Sequence, residues 1–440
     1  MDNFEKSDII TDVAYRKNKS RFVPRDEQVR LNHQMKQKLV RFSSEIASET
    51  QRPEAMALFD EMMNGMHGDR VKNLYAYRRQ GNHVMALICN SLPPELVYAM
   101  GNFIPVSVCM GAGEVEPYAD EYSKGMCSVS RSLLGFLSSG MCVFFNLADH
   151  ILSSDLCPSL KKTSDIIEKI SDEFDVFCLQ TNKARGGKLN VNTSGFMNWV
   201  NSINGGNGLN SKRLIEYASL YSEIRYTYQS IFNLRKLSNP PINGKNSLWI
   251  QQLMLVEEPR KLLRGLKTLE KELLERASEN IGYDAEGKRK RVMLITPRIM
   301  PPFGEIYRVI ENAGGIIVYE EIDMGITNIN YELTRLNEIL IKNGSESAAK
   351  YMLACVDINS SSCVKEFDMD KILHSIDEYN VDAVIHFSFR NCEIMHKKTN
   401  NINNLLNQRG IASLVIESDY MEFFEKELML EEEISNFLYP

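Results

Sequence analysis

Twice along this chain, short apolar runs rich in β-branched residues alternate with amphipathic stretches long enough to cross back over a sheet. Strands buried on both faces read as continuous apolar runs, and a parallel neighbour is reached only through a crossover, so this rhythm belongs to a parallel α/β sheet. The first series is HVMALIC, IPVSVCM, HILSS and VFCLQT; the second is RVMLITP, GIIVYEEI, VDAVIHFSF and ASLVIESD. Helix candidates lie between them. Pro94 to Met100, with Gly101 trailing it, is one; the stretch after Pro158, where Leu160, Ile166, Ile167 and Ile170 recur at helical spacing, is another. The expected fold is α/β: two doubly wound parallel-sheet domains, Rossmann-like or flavodoxin-like, with N-terminal and linking helices.

At 440 residues the chain exceeds the size at which a single core stops growing. Four segments are expected: a helical lead-in over 1–77, a first α/β domain over 78–200, linking and covering helices over 201–290, and a second α/β domain over 291–440. Gly- and Asn-rich turns separate the first domain from helices such as PRKLLRGLKTLEKELLERASE, whose Leu262, Leu266, Leu269 and Leu273 form an apolar stripe. The basic cluster Lys288 to Arg291 reads as a solvated linker. No short-period repeat is present, although two domains of similar rhythm allow a distant duplication.

Three cysteines stand where an irregular or extended segment gives way to a helical pattern: Cys127 in GMCSVSRSLLGF, Cys157 in SSDLCPSLKK and Cys392 in VIHFSFRNCEIMHKK. A thiol at a helix N-terminus meets unsatisfied N–H groups and the positive end of the helix dipole, which favours thiolate. Cys157 and Cys392 each follow a strand, where ligands collect in doubly wound sheets. Three thiolates on a 4Fe-4S cubane, which ordinarily takes four, would leave one iron open to a substrate oxygen. The alternative is that these cysteines only pack, as buried cysteines usually do.

The remaining signals mostly exclude. No apolar run reaches the roughly 20 residues that span a bilayer, and the start MDNFEKSDIITD lacks a signal-peptide core, so a cytoplasmic protein is expected. Nine irregularly spaced cysteines suit reduced thiols or metal ligands better than a disulfide framework. A net charge of −7 disfavours nonspecific nucleic-acid binding. MGAGEVE lacks the third glycine of a dinucleotide fingerprint and reads as a turn; neither a Walker A sequence nor a G-x-S-x-G elbow occurs. Cys392 and His396 share a helix face, but no second pair completes a zinc site. His386, on the strand before Cys392, is a candidate proton carrier or a hydrogen-bonded core histidine; Glu417, ending a strand in LVIESD, is a candidate base or a solvated carboxylate.

GNHVMALICNSLPPELVYAMGNFIPVSV, KGMCSVSRSLLGF, SSDLCPSLKK, PPINGKNSLWI, VDAVIHFSFRNCE and LLNQRGIASLVIESDY, in that order, resemble the 2-hydroxyacyl-CoA dehydratase and benzoyl-CoA reductase family over roughly Tyr75 to Tyr420. The resemblance implies two α/β domains with a 4Fe-4S cluster held between them by Cys127, Cys157 and Cys392. It also implies a homologous partner subunit, a separate ATP-hydrolysing iron-sulfur activator and an acyl-CoA substrate, without nucleic acid or membrane. The implied reaction removes water from a 2-hydroxyacyl thioester through a ketyl radical; related members drive electrons into an aromatic thioester ring.

Three departures qualify the transfer. The second ligand stands in CPSLKK where the family often shows CDG, the stretch after the second-domain strand reads DMGITN without an expected arginine, and the C-terminus is the acidic MEFFEKELMLEEEISNFL. Arg131, Lys161, Lys162 and Arg298 remain as candidate phosphate partners or ordinary surface charges. Alternatives to a catalytic dehydratase subunit are therefore a subunit of a benzoyl-CoA reductase-like low-potential reductase and a noncatalytic structural or electron-relay partner.

Overall fold

The strands His83–Leu87 (β1), Phe103–Ser107 (β2), His150–Ser154 (β3) and Asp175–Leu179 (β4) form an all-parallel sheet in the order β2-β1-β3-β4. A second parallel sheet follows. After the short antiparallel pair Thr181–Lys183 (β5) and Leu189–Val191 (β6), the strands Lys290–Thr296 (β7), Gly315–Ile322 (β8), Ala383–Phe389 (β9) and Ala412–Ser418 (β10) pair in the order β10-β9-β7-β8. In both sheets the first strand is central, the second lies on one side and the third and fourth on the other. The two domains therefore share one doubly wound topology, and each has a switch point between its first and third strands. The computed structural model describes residues 23–66, 68–88, 92–108, 110–155, 157–171, 173–183, 189–322, 331–355 and 369–440.

The expected apolar runs become β1 to β4 and β7 to β10, and most are buried on both faces because helices cover them. The stripe of the helix Pro259–Ser278 is also realised, with Leu262, Leu266, Leu269 and Leu273 buried in the main core. Arg291 differs from expectation. It lies in β7, and its buried guanidinium donates to the carbonyls of Tyr379 (2.9 Å), Leu237 (3.0 Å) and Arg235 (2.8 Å), so it closes chain ends instead of meeting solvent. Among the described residues no helix is long and apolar enough to cross a membrane.

The C-terminal edges of the two sheets meet at a seam. Beyond β2, Gly111 N–H donates to the Pro301 carbonyl at 2.9 Å, in the turn that follows β7. A Cβ on Gly111 would stand 2.8 Å from Tyr420 Oη and 2.9 Å from Met300 O, and one on Gly113 would collide with Met421. The 3-10 helix Gly113–Ala119 thus rests on the helix Tyr420–Glu425, just past β10. The helix Arg25–Ala47 straps the seam: Lys38 pairs with Glu114 on one side, Arg41 with Glu427 on the other, and Phe42 packs at Gly304.

The same 3-10 helix lies on the helix Ser128–Ser139 at Gly135, where a Cβ would overlap the Val115 carbonyl. Backbone cannot yield as a flexible side chain does, so overpacking here is costly. Gly135→Ala should lower unfolding stability by about 1–3 kcal/mol in chemical denaturation, although helix propensity alone favours Ala. A denaturation midpoint equal to or above wild type would refute this contact.

Candidate functional site

Four of the described helices begin at cysteines: besides the three expected ones, Cys142 is the N-cap of the short helix Val143–Leu147. Cys127 is the N-cap of Ser128–Ser139, Cys157 of Pro158–Ile170 and Cys392 of Glu393–Gln408. Cys127 and Cys157 carry extended backbone, as N-caps require, and Cys157 Sγ accepts a hydrogen bond from Leu160 N–H at 3.3 Å. Pro158 suits the first helical position because it has no N–H to leave unsatisfied. Cys127 is buried, with Sγ 3.7 Å from Ser130 Oγ, whereas Cys157 and Cys392 are half-buried.

Cys157 and Cys392 are topological equivalents. Each lies three residues beyond the third strand of its sheet, after Ser154 and after Phe389, and each starts the following helix. Asn391, with φ +63°, makes the tight turn into Cys392. The helices behind Cys127 and Cys157 pack on each other in the first domain. Cys392 belongs to the second and approaches the same seam, because Arg390, two residues earlier, pairs with Glu422 on the helix that meets the 3-10 segment. Among the described residues, no three His, Cys, Asp or Glu side chains close on a point that would hold a single metal ion. A cubane makes a different demand, because its thiolates bind separate irons.

The other described cysteines, Cys142, Cys178 and Cys355, carry thiols outside this constellation. Burial pushes Cys178 and Cys355 up, toward the protonated form. Cys89, Cys109 and Cys363 lie outside the described residues, as does DMGITN.

His386 is fully buried in the middle of β9 and bonds Ser413 Oγ through Nε2 at 3.1 Å. Burial pushes its pKa down to about 4, so the ring is neutral near pH 7. Glu417, on the edge strand β10, bonds His396 Nδ1 at 2.9 Å, and His396 N–H donates to the Cys392 carbonyl at 2.9 Å. The carboxylate and the histidine one turn past Cys392 are thus brought together, while His386 stays inside the sheet layer. Among the candidate phosphate partners, Arg131 is held by Glu116 (3.0 Å) and Asp120 (2.7 Å), and Lys161 by Asp165 (3.1 Å). Lys162 is exposed and Arg298 buried just beyond β7.

Glu116 escaped sequence reasoning. MGAGEVE, expected as a turn, runs into the 3-10 helix Gly113–Ala119, and nothing in it signals that one of its carboxyls is buried against Arg131, a partner fixed only by the fold.

The neutral state of His386 has a pH consequence. The unfolded ring takes its proton near the ordinary 6.5 and the folded ring only near 4, so stability is complete above about pH 6.5 and falls as pH drops through that window. The unfolding free energy from urea titrations between pH 7 and pH 5 should fall with a slope of up to about 1.4 kcal/mol per pH unit from this group. In His386→Gln, which keeps a hydrogen-bonding partner for Ser413, that slope should shrink; an unchanged slope would show that His386 is not the source.

A family model described as 2-hydroxyglutaryl-CoA dehydratase, D-component, matches residues 89–438. No curated protein matches the chain. The matched span includes the helices capped by Cys127, Cys157 and Cys392, both ends of the seam and far more than half of the sequence, so this chain belongs to the 2-hydroxyglutaryl-CoA dehydratase D-component family.

Proposed function

We propose that the chain is the iron-sulfur subunit of a 2-hydroxyacyl-CoA dehydratase, a lyase that eliminates water from an (R)-2-hydroxyacyl-CoA to give the enoyl-CoA through a ketyl radical. Family membership supports the dehydratase class. The observation that carries the finer reading is topological: Cys157 and Cys392 cap the helix after the third strand of each sheet, and Cys127 caps a helix packed on the Cys157 helix. In this reading Cys127, Cys157 and Cys392 hold a 4Fe-4S cluster, and the donor set fits: three thiols at helix N-caps, where the positive helix end favours thiolate, with Leu160 N–H bonded to Cys157 Sγ. Bound there, the cluster would supply a low-potential electron and an iron open to a substrate oxygen.

The chemistry needs this because the β-hydrogen of a 2-hydroxyacyl thioester is not acidic. One electron on the thioester carbonyl gives a ketyl, which expels the 2-hydroxyl group and leaves a radical with a far more acidic β-hydrogen; the electron is then recovered. The chain's own part is to exclude water and position groups. Phe303, Phe389 and Tyr420, all buried at the C-terminal edge of the second sheet with Phe389 and Tyr420 ring centres 4.6 Å apart, give the seam an apolar floor. The partners in this reading are a homologous subunit, an ATP-dependent iron-sulfur activator and the acyl-CoA, in the cytoplasm. The absence of a phosphate loop agrees with ATP hydrolysis lying in another chain.

Protein purified without oxygen should contain about four iron and four sulfide per chain. Cys127→Ser, Cys157→Ser and Cys392→Ser should each lose most of that iron and the electron paramagnetic resonance signal of the reduced cluster. Cys142→Ser and Cys178→Ser should keep both. Folded wild-type protein without iron, or a full complement in Cys392→Ser, would reject the assignment.

A further inference from the structure

The seam holds a carboxyl that the scheme above leaves without a task. Glu116 projects from the 3-10 helix Gly113–Ala119, its side chain 8% exposed, with one oxygen 3.0 Å from Arg131 Nη1. Its other oxygen, Oε1, is buried and has no hydrogen-bond partner among the described residues. Arg131 is shared, since its Nη2 pairs with Asp120 at 2.7 Å. The Ser128 hydroxyl, directly after Cys127, and Asp419, directly after β10, act on Glu116 from the two sides of the seam. Asp419 is engaged as a carboxylate, accepting from Met421 N–H (3.0 Å) and Glu422 N–H (2.8 Å). The strap helix contributes Lys38, which is spent on Glu114, and Glu27, which is bonded to Tyr118.

Glu116 is thus a buried acid sharing one cation with a second acid and facing a third. A carboxylate there would carry charge on an unsolvated Oε1, which costs far more than burying the neutral acid. Burial first, with Asp419 and Asp120 adding like charge, pushes its pKa up to about 8 against the pull of Arg131 and of the Ser128 hydroxyl. A buried carboxyl kept protonated near neutral pH is a form suited to general acid catalysis.

We propose that Glu116 is the proton-holding residue of the seam, giving its proton to the departing hydroxyl oxygen and recovering one from the β-carbon. This role rests on the dehydratase reading above. The balance is complete: the C–O bond breaks as the Glu116 proton joins the leaving oxygen to form water, and Arg131 holds the carboxylate left behind. The β C–H bond then breaks, its proton returns to Glu116, and its electron pair forms the double bond as the catalytic electron goes back to its one-electron donor. No net oxidant or reductant is consumed.

Infrared spectroscopy of the purified chain tests the protonation directly. Beside the bands of the buried acids Glu305 and Glu311, wild type should show a carboxylic-acid carbonyl band that disappears with a midpoint near pH 8, and the Glu116→Gln difference spectrum should remove that one. Asp419→Asn, which keeps the helix cap but removes the like charge, should move the midpoint down, so the assignment stands or falls even if Glu116→Gln does not fold. No such band, that band surviving Glu116→Gln, or its midpoint unmoved in Asp419→Asn overturns the proposal. In activated enzyme supplied with a 2-hydroxyacyl-CoA, Glu116→Gln should lower kcat by about a hundredfold or more, keep KM and iron content, and lose the alkaline limb of the wild-type pH profile. An active wild type with Glu116→Gln unchanged overturns this role alone. A wild type that dehydrates no 2-hydroxyacyl thioester overturns the functional reading and this role with it.

Discussion

Two parallel sheets meeting edge to edge is the constraint from which the rest of the molecule follows. A parallel sheet delivers every strand-to-helix turn to its C-terminal edge, so facing edges concentrate two sets of turns in one seam. Contact at such short range leaves no room for side chains at the points of closest approach. Glycine therefore stands at 111 and 113 against Met300, Tyr420 and Met421, and at 135 against the Val115 carbonyl. These glycines are needed for closeness and not for unusual dihedrals. They also set the positions of chemistry-bearing neighbours, because the 3-10 helix carrying Glu116 is wedged between the helix that starts after Cys127 and the helix that starts after Asp419.

What the sequence made legible is what is local. All eight parallel strands are visible as apolar runs, and the repeated order of the two sheets is consistent with the similar rhythm of the two halves. Cys127, Cys157 and Cys392 could be placed at helix starts because caps, Pro158 and periodicity act over a few residues. What could not be read depends on partners far along the chain. Arg291 looks like part of a basic linker until Leu237, Arg235 and Tyr379 present carbonyls to it. Glu116 looks like a turn carboxylate until Arg131 and Asp419 arrive from other elements. The pairing of His396 with Glu417 is hidden for the same reason, since β10 and the preceding helix must first be docked.

Electrostatics at the seam run opposite to the needs of a phosphate site. Arg131 is already bracketed by Glu116 and Asp120, Lys161 by Asp165, and Arg390 by Glu422. With the chain carrying a net charge of −7, a CoA pyrophosphate approaching this edge meets few uncommitted cations among these candidates.

A cysteine N-cap answers two demands with one atom. The first turn of a helix has N–H groups that lack intrahelical partners, and a thiolate bound to iron retains negative charge on sulfur that must be offset in a low-dielectric seam. Placing the sulfur at the cap lets each satisfy the other, as the Leu160 N–H bond to Cys157 Sγ already does. The same geometry accommodates the residue after the cysteine: in SSDLCPSLKK Pro158 has no N–H, and none is needed at the first helical position. The capping role therefore constrains the cysteine and the helix start, leaving the following residues free to tune polarity around the sulfur without moving it.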